Sequence, residues 1–286
     1  MNSNQLKTHK ALINPRQLQE LLTQGAVQVL YTVVDFPVNY VSKQTESCYL
    51  PNSLFFDFDN VFVDKNTGLP HSLPSPSLFA KEMSNLGISN DTTLVIYDDQ
   101  GSFSAPRVWW MLKTMGHQKV LVLDGGLQAW IDNGFAVESE LVKNTEKSQY
   151  KVKYTPELLV DKNQLLENLH NPNCVVIDAR SAARFHGTEA EPRKGVRSGH
   201  IPGSQNLHYA QVLNNGKFID TAAIEQLFKP FVASHNSVAP QLQFSCGSGV
   251  TACILALAAY QIGVENWAVY DGSWSEWGAD ATCPIE

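Results

Sequence analysis

The amino-acid sequence predicts an α/β protein made of two tandem copies of one domain, each a mainly parallel sheet covered by helices on both faces. Three observations carry this. Displacing the chain against itself by the 147 residues that separate Gln17 from Gln164 lays Gln17-Leu18 on Gln164-Leu165, Gly116 on Gly263, Asp124-Gly125 on Asp271-Gly272 and Trp130 on Trp277. Ordered matches of this kind are the mark of a duplication. Short continuous apolar runs alternate with helical patterns in both halves, as strands buried on both faces require. Between the halves, residues 139–155 (SELVKNTEKSQYKVKYT) are polar and mixed in charge, the composition of a linker. The expected organisation is an N-terminal domain at 1–138, a linker at 139–156 and a C-terminal domain at 157–286.

Each copy opens on a helix start. Asn14 and Asp161 fall at the same place in the repeat and read as N-caps, with Leu18, Leu21 and Leu22, then Leu165, Leu166 and Leu169, on the apolar face. In the first copy, residues 27–34, 94–97 (LVIY) and 120–123 (VLVL) read as strands and 107–115 as a helix. In the second, 174–177 (CVVI), 239–245 (APQLQFS) and 267–270 are the strands. The apolar stretch 251–262 (TACILALAAYQI) is the helix, stopped by Gly263.

Composition narrows the function. A chain of 286 residues can bury a proper core. The five cysteines are odd in number and lack C-x-x-C spacing, so neither a disulfide framework nor a zinc site is indicated, and no metal or other cofactor is expected. A reducing, cytoplasmic setting fits. The first fifteen residues contain no apolar core of signal-peptide length, and no run approaches membrane-spanning length. A formal charge of -7 argues against nucleic acid as a partner. Any anionic ligand therefore needs a local group of arginines.

The stretch that carries chemistry is Cys246-Gly247-Ser248-Gly249-Val250-Thr251, which joins a buried strand to the long apolar helix. Two glycines in this loop let backbone N–H groups curl inward around one atom, and the helix adds the positive end of its dipole. Such surroundings favour a thiolate, so Cys246 is the candidate nucleophile. Cys48, Cys174, Cys253 and Cys283 read as small buried hydrophobes. At the matching place the first copy has Asp98-Asp99-Gln100-Gly101-Ser102 and no thiol, so its site is expected to be inactive. Ligands of such sheets collect at the carboxyl ends of the strands, which places one site at Cys246, walled partly by the other domain.

Two further groups of residues bear on this site. Residues 178–203 (DARSAARFHGTEAEPRKGVRSGHIPG) carry Arg180, Arg184, Arg193 and Arg197, and arginine grips a carboxylate with two parallel hydrogen bonds. For any one of them, solvation or pairing with Asp178, Glu189 or Glu191 is the alternative. In the first copy, Asp59 and His71 offer a carboxylate and an imidazole that can relay a proton to a hydroxyl such as that of Ser248. Their spacing alone does not bring them together.

These stretches resemble the two-domain rhodanese-like sulfurtransferases over essentially the whole chain, and within them most closely the branch acting on 3-mercaptopyruvate. That branch carries its active loop as Cys-Gly-Ser-Gly-Val-Thr, found here at Cys246 to Thr251, whereas the thiosulfate-using branch typically carries Cys-Arg-Lys-Gly-Val-Thr. Ser104-Ala105-Pro106-Arg107-Val108-Trp109-Trp110, Glu191-Pro192-Arg193, Gly199-His200-Ile201-Pro202-Gly203 and Tyr270-Asp271-Gly272-Ser273-Trp274 also resemble the family. Departures lie in the first domain: Tyr49-Leu50-Pro51-Asn52-Ser53 stands where the family has His-Ile-Pro-Gly-Ala, and residues 30–36 (LYTVVDF) lack the usual Asp-Ala-Ser.

The resemblance implies a persulfide on Cys246, substrate contacts from Arg184, Arg193 and the loop residues Gly247, Gly249, Val250 and Thr251, and a relay of Asp59, His71 and Ser248. It implies a sulfur donor, 3-mercaptopyruvate, and an acceptor such as thioredoxin, a small thiol or cyanide. A Gly-Ser loop without cations suits a donor whose carboxylate lies several bonds from the thiol, where distant arginines can hold it. The alternatives are a thiosulfate sulfurtransferase and a non-catalytic module presenting a thiol. A cysteine phosphatase needs an arginine six positions after its cysteine, where this chain has Ala252.

Overall fold

The computed structural model describes residues 10–34, 47–144, 146–232 and 239–286. Residues 1–9 of the opening segment, and Asp35 and Phe36 of the stretch said to depart from the family, lie outside them. The first copy runs β1 (Leu12–Ile13), α1 (Pro15–Thr23), β2 (Gln28–Tyr31), β3 (Ser53–Phe55), α2 (Pro76–Asn85), β4 (Leu94–Tyr97), α3 (Ala105–Thr114), β5 (Val120–Leu123) and α4 (Gly126–Asp132). The second runs β6 (Leu159–Val160), α5 (Lys162–Asn168), β7 (Cys174–Asp178), α6 (Ala182–Phe185) and β8 (Gln205–Asn206). It continues through a small antiparallel hairpin of β9 (Leu213–Asn214) and β10 (Lys217–Phe218), then α7 (Thr221–Val232), β11 (Gln241–Ser245), α8 (Ala252–Gln261), β12 (Trp267–Tyr270) and α9 (Ser273–Trp277).

The strand orders are β1-β5-β4-β2-β3 and β6-β12-β11-β7-β8, all parallel. Position by position the second order repeats the first, so the duplication read in the sequence is a duplication of topology. Every residue of β4 and β12 is buried, as strands covered on both faces must be. The strands at 94–97, 120–123 and 267–270 lie where the sequence places them. From residues 27–34 only Gln28–Tyr31 is strand. The helix expected at 107–115 starts earlier, at Ala105, because Pro106 fits a first helical turn, where its missing N–H costs nothing. The short strands β1, β3, β6 and β8 carry no readable alternation.

Asn14 and Asp161 are both N-caps with a closed capping box: each side chain accepts the N–H of the residue three on, at 2.9 Å, and Gln17 or Gln164 bonds back to the cap N–H. At the far ends of α3 and α8, Gly116 and Gly263 take φ of +83° and +80°, the left-handed turn that ends a helix.

The two copies meet through these same two helices. Residues Ala252 to Ala259 of α8 are all buried, which accounts for its apolar character on every side. Trp109 of α3 stacks on Trp267 with centroids 5.6 Å apart and meets the edge of Tyr260 at 5.2 Å. Trp110 donates its indole N–H to the carbonyl of Leu158 at 2.9 Å. One hydrophobic core runs through both copies.

Replacing Asp161 with Ala removes one cap of a matched pair. We expect a loss of about 1 kcal/mol in a urea titration, with Asn14→Ala costing a similar amount.

Candidate active site

The site lies where the second sheet changes direction. From β11 the chain crosses to β12 on one side, whereas β7 leads to β8 on the other, and the loops after β7 and β11 open together at this switch point. Register sets their contact. Asp178 pairs with Ser245, and the N–H of Ala179 donates to the Ser245 carbonyl at 2.8 Å, so the arginine-bearing loop starts beside Cys246.

The loop 246–251 is held from below. Trp274 and Ser275, in the first turn of α9, donate their N–H groups to the carbonyls of Cys246 and Gly247, each at 2.9 Å. The N–H of Cys246 donates to the Ser273 hydroxyl at 3.1 Å, which itself donates to the Tyr270 carbonyl at 2.8 Å and lies 4.0 Å from the Cys246 sulfur. Ser273 is fully buried with φ of +48°, a conformation that costs energy in any residue but glycine. The equivalent residue of the first copy is Gly126. A serine held in a glycine conformation, where the duplicate keeps the glycine, is the signal that sequence reading missed.

Cys246 is 1% exposed and forms the floor of a cavity of about 510 Å³. The expected ring of several inward-pointing amides is reduced to one: the N–H of Gly249 donates to the sulfur at 3.1 Å. Gly249 has φ of +78°, and a Cβ there would lie 2.7 Å from the Asp271 carbonyl and 2.9 Å from Arg107, so only glycine fits. One turn on, the thiol of Cys253 donates to the Gly249 carbonyl at 3.2 Å, and burial pushes its pKa up. That thiol is a packing group.

Of the four arginines of the second loop, Arg180, Arg184 and Arg193 line the cavity and Arg197 does not; Arg180 is committed to structural partners all the same. Arg180 is buried, bonded to Asp178, Glu191 and the Gly199 carbonyl, and stacked 4.3 Å from the Trp274 ring. Arg197 donates to the carbonyls of Gly278, Trp277, Asp280 and Cys283 and so fastens the C-terminal segment. Arg184, on α6, borders the cavity with Glu191 gripping it through Nε at 3.1 Å and Nη2 at 2.6 Å. Burial alone would lower its pKa, and the Glu191 carboxylate reverses the direction. Arg193 also lines the cavity but makes no hydrogen bond or ion pair with the described residues, and burial pushes its pKa down. A half-buried guanidinium without a partner, next to a second one, is a place for an anion.

The cavity wall is completed by Ser248, Val250 and Thr251 of the cysteine loop, by His208 and Tyr209, and by Gln100 and Phe103 from the first domain. Gly247 lies against Arg184: a Cβ there would be 3.0 Å from its Nη2. Asp59 and His71 do pair, through the carboxylate and Nδ1. His71 and Ser248 do not form a hydrogen bond, so the three-membered relay is present as a pair and a separate hydroxyl. A buried arginine of the first domain lies between them. Arg107 donates to the carbonyl of His71, to that of Gly249 at 3.2 Å, and forms an ion pair with Asp271 at 2.6 Å. Burial would lower its pKa, and Asp271 outweighs that.

The first copy fills the corresponding place with its own side chain. Asp98, at the end of β4 and fully buried, accepts the N–H groups of Gln100 at 3.0 Å and of Ser104 and Ala105 at 2.8 Å. The second copy has Ser245 at this position of the repeat, and of its loop amides that of Gly249 donates to the sulfur.

Comparison with known proteins is consistent along the whole chain. The rhodanese-like domain profile matches twice, at residues 14–133 and 161–280. The chain is 40% identical over 264 residues to thiosulfate/3-mercaptopyruvate sulfurtransferase 1, mitochondrial, of Arabidopsis thaliana, covering 85% of this chain and 69% of that one. It is 38% identical over 279 residues to thiosulfate sulfurtransferase of Rattus norvegicus, covering 94% and 92%. The crystal structure of SseA from Escherichia coli, described as a 3-mercaptopyruvate sulfotransferase, superposes with a TM-score of 0.80 at 33% identity, covering 94% of this chain and 100% of that one.

Glu191 is buried between two guanidinium groups, and neutralising it leaves Arg184 without its ion pair. Glu191→Gln should lower stability by about 3 kcal/mol in chemical denaturation, the scale of breaking a buried ion pair from one side.

Proposed function

Because this chain belongs to the two-domain rhodanese-like sulfurtransferases, we propose that it moves the sulfur of 3-mercaptopyruvate through a persulfide on Cys246 to a thiol acceptor and releases pyruvate. The observation that carries this reading is the cavity itself. The sulfur of Cys246 is its floor, Arg184 and the unpartnered Arg193 form one wall, and the loop around the sulfur holds no cation of its own. An α-keto acid thiol fits that division of charge: its carboxylate and ketone face the two guanidinium groups while its sulfur reaches Cys246.

The Cys246 thiolate attacks the substrate sulfur and forms the S–S bond. The C–S bond breaks, and its electron pair stays on carbon as the enolate of pyruvate, stabilised by the arginines. Protonation of that carbon completes pyruvate. Ser248 in the cavity wall, together with the paired His71 and Asp59, is our candidate route for the proton. The persulfide keeps the Gly249 N–H as a hydrogen-bond donor. A thiolate acceptor, such as thioredoxin or a small thiol, then attacks the outer sulfur and leaves with it as a new persulfide, and cyanide would leave as thiocyanate. In either case the Cys246 thiolate is restored.

The first copy is read as catalytically silent, since Asp98 uses the amides that would face an anion. We place the domain boundaries at 138 and 157, and the protein in the reducing cytoplasm, in keeping with five cysteines that are odd in number and lack C-x-x-C spacing. Among the described residues no helix is long and apolar enough to cross a membrane. Thiosulfate, named for two of the relatives, is the rival donor. Its charge lies beside the transferred sulfur, where the Gly-Ser loop offers no cation.

Steady-state assays with both donors should give a clearly higher kcat/KM for 3-mercaptopyruvate, and equal or better turnover of thiosulfate would reverse the assignment. Mass spectrometry after donor treatment should find one added sulfur atom on Cys246, with Cys246→Ser releasing no pyruvate. Arg193→Ala should reduce kcat/KM by about 1.5 to 3 kcal/mol, the worth of a charge-assisted hydrogen bond, and an unchanged value would return Arg193 to the surface.

A further inference from the structure

The repeated aspartates at the carboxyl ends of β5 and β12 each reach into the opposite copy. Asp124 accepts the N–H of Phe218 at 2.9 Å, and Asp271 accepts that of Leu73 at 2.7 Å. This pair of contacts is symmetric under the duplication. What breaks the symmetry is Arg107: its counterpart in the second copy is Ile254, and only Asp271 carries a guanidinium. Arg107 is 0% exposed, and its stacking on Trp110 at 4.5 Å holds the plane of the fork. Packing and the ion pair would be served without any carbonyl contact. Yet two further donors are spent on the backbone of His71, which stands in the left-handed region at φ +60°, and of Gly249, whose N–H touches the Cys246 sulfur.

We propose that Arg107, oriented by Asp271, is a positioning residue that sets His71 of the first domain against the cysteine loop of the second. The inference rests on the reading of His71 as part of the proton route. The asymmetry has a reason in this account: an arginine is needed only where a histidine must be registered to a reacting sulfur, and the loop of the first copy at Asp98-Asp99 holds no thiol to register. His71 is held in a strained backbone conformation, so its carbonyl contact fixes where the main chain stands, and Asp59 at Nδ1 orients the ring.

The test is a cycle of Arg107→Lys, His71→Asn and the double variant, assayed for pyruvate release from 3-mercaptopyruvate. Lysine keeps a charge for Asp271 but lacks the planar fork that spans both carbonyls. Arg107→Lys should lower kcat about tenfold, while the donor KM stays within about twofold because Arg184 and Arg193 are untouched. In the His71→Asn background the same substitution should cost less than about twofold, since the residue it acts through is gone. Wild-type kcat in Arg107→Lys, or the full tenfold loss persisting in the His71→Asn background, overturns the proposal. His71→Asn turning over at the wild-type rate removes the proton route itself, whereas a fully active Arg107→Lys beside a crippled His71→Asn removes only the role of Arg107. If Arg107→Lys does not fold, Asp271→Asn, close in volume, repeats the cycle with the same expectations. Failure of both to fold would make the pair a domain fastening alone and overturn the inference.

Discussion

Parallel pairing of β7 with β11 is the constraint on which the site depends. It aligns Asp178 with Ser245, so the next residues of both strands leave the sheet side by side and in the same direction. One strand leads to Cys246 and the other into the loop that carries Arg184 and Arg193. An antiparallel pairing would send those two loops to opposite edges. Everything else in the site adjusts this arrangement: α9 amides fix the carbonyls of the cysteine loop, and Glu191 fixes Arg184.

Duplication explains both the fold and the way the site is divided. The two sheets share one strand order, and α3 packs on α8 as one copy's helix against its counterpart. A single core joins the copies, yet their loops differ. In the first, the Asp98 carboxylate takes up three amides, where the second has Ser245 beside Cys246. Gln100 and Phe103 of that first loop form part of the wall of the other site.

Burial of Cys246 also has a mechanistic meaning. A sulfur at the floor of a cavity meets only what the cavity admits, and under the mechanism proposed above the transferred sulfur would sit there away from bulk solvent. Low polarity around it strengthens the single Gly249 hydrogen bond and the pull of the two guanidinium groups. The expectation of a sulfur ringed by amides overstated the backbone's share: the Gly249 N–H donates to it, whereas the N–H of Cys246 is taken by Ser273.

Local chemistry was legible in the sequence wherever it is written in adjacent residues. The repeat, the N-caps at Asn14 and Asp161, the long buried strands, the cysteine loop and the pool of arginines were all of this kind, since spacing and side-chain type alone decide them. How the arginines are used was not: Arg180 and Arg184 are four residues apart and both border the pocket, and only folding buries one against Asp178 and Trp274 while leaving the other partly open. Nor could spacing show that Ser248 and His71 stand apart, or that Arg107 spans 142 residues to reach Gly249. Those relations are set by how two complete domains pack. A carbonyl or carboxylate contributed by one domain to the other leaves no periodic trace along either.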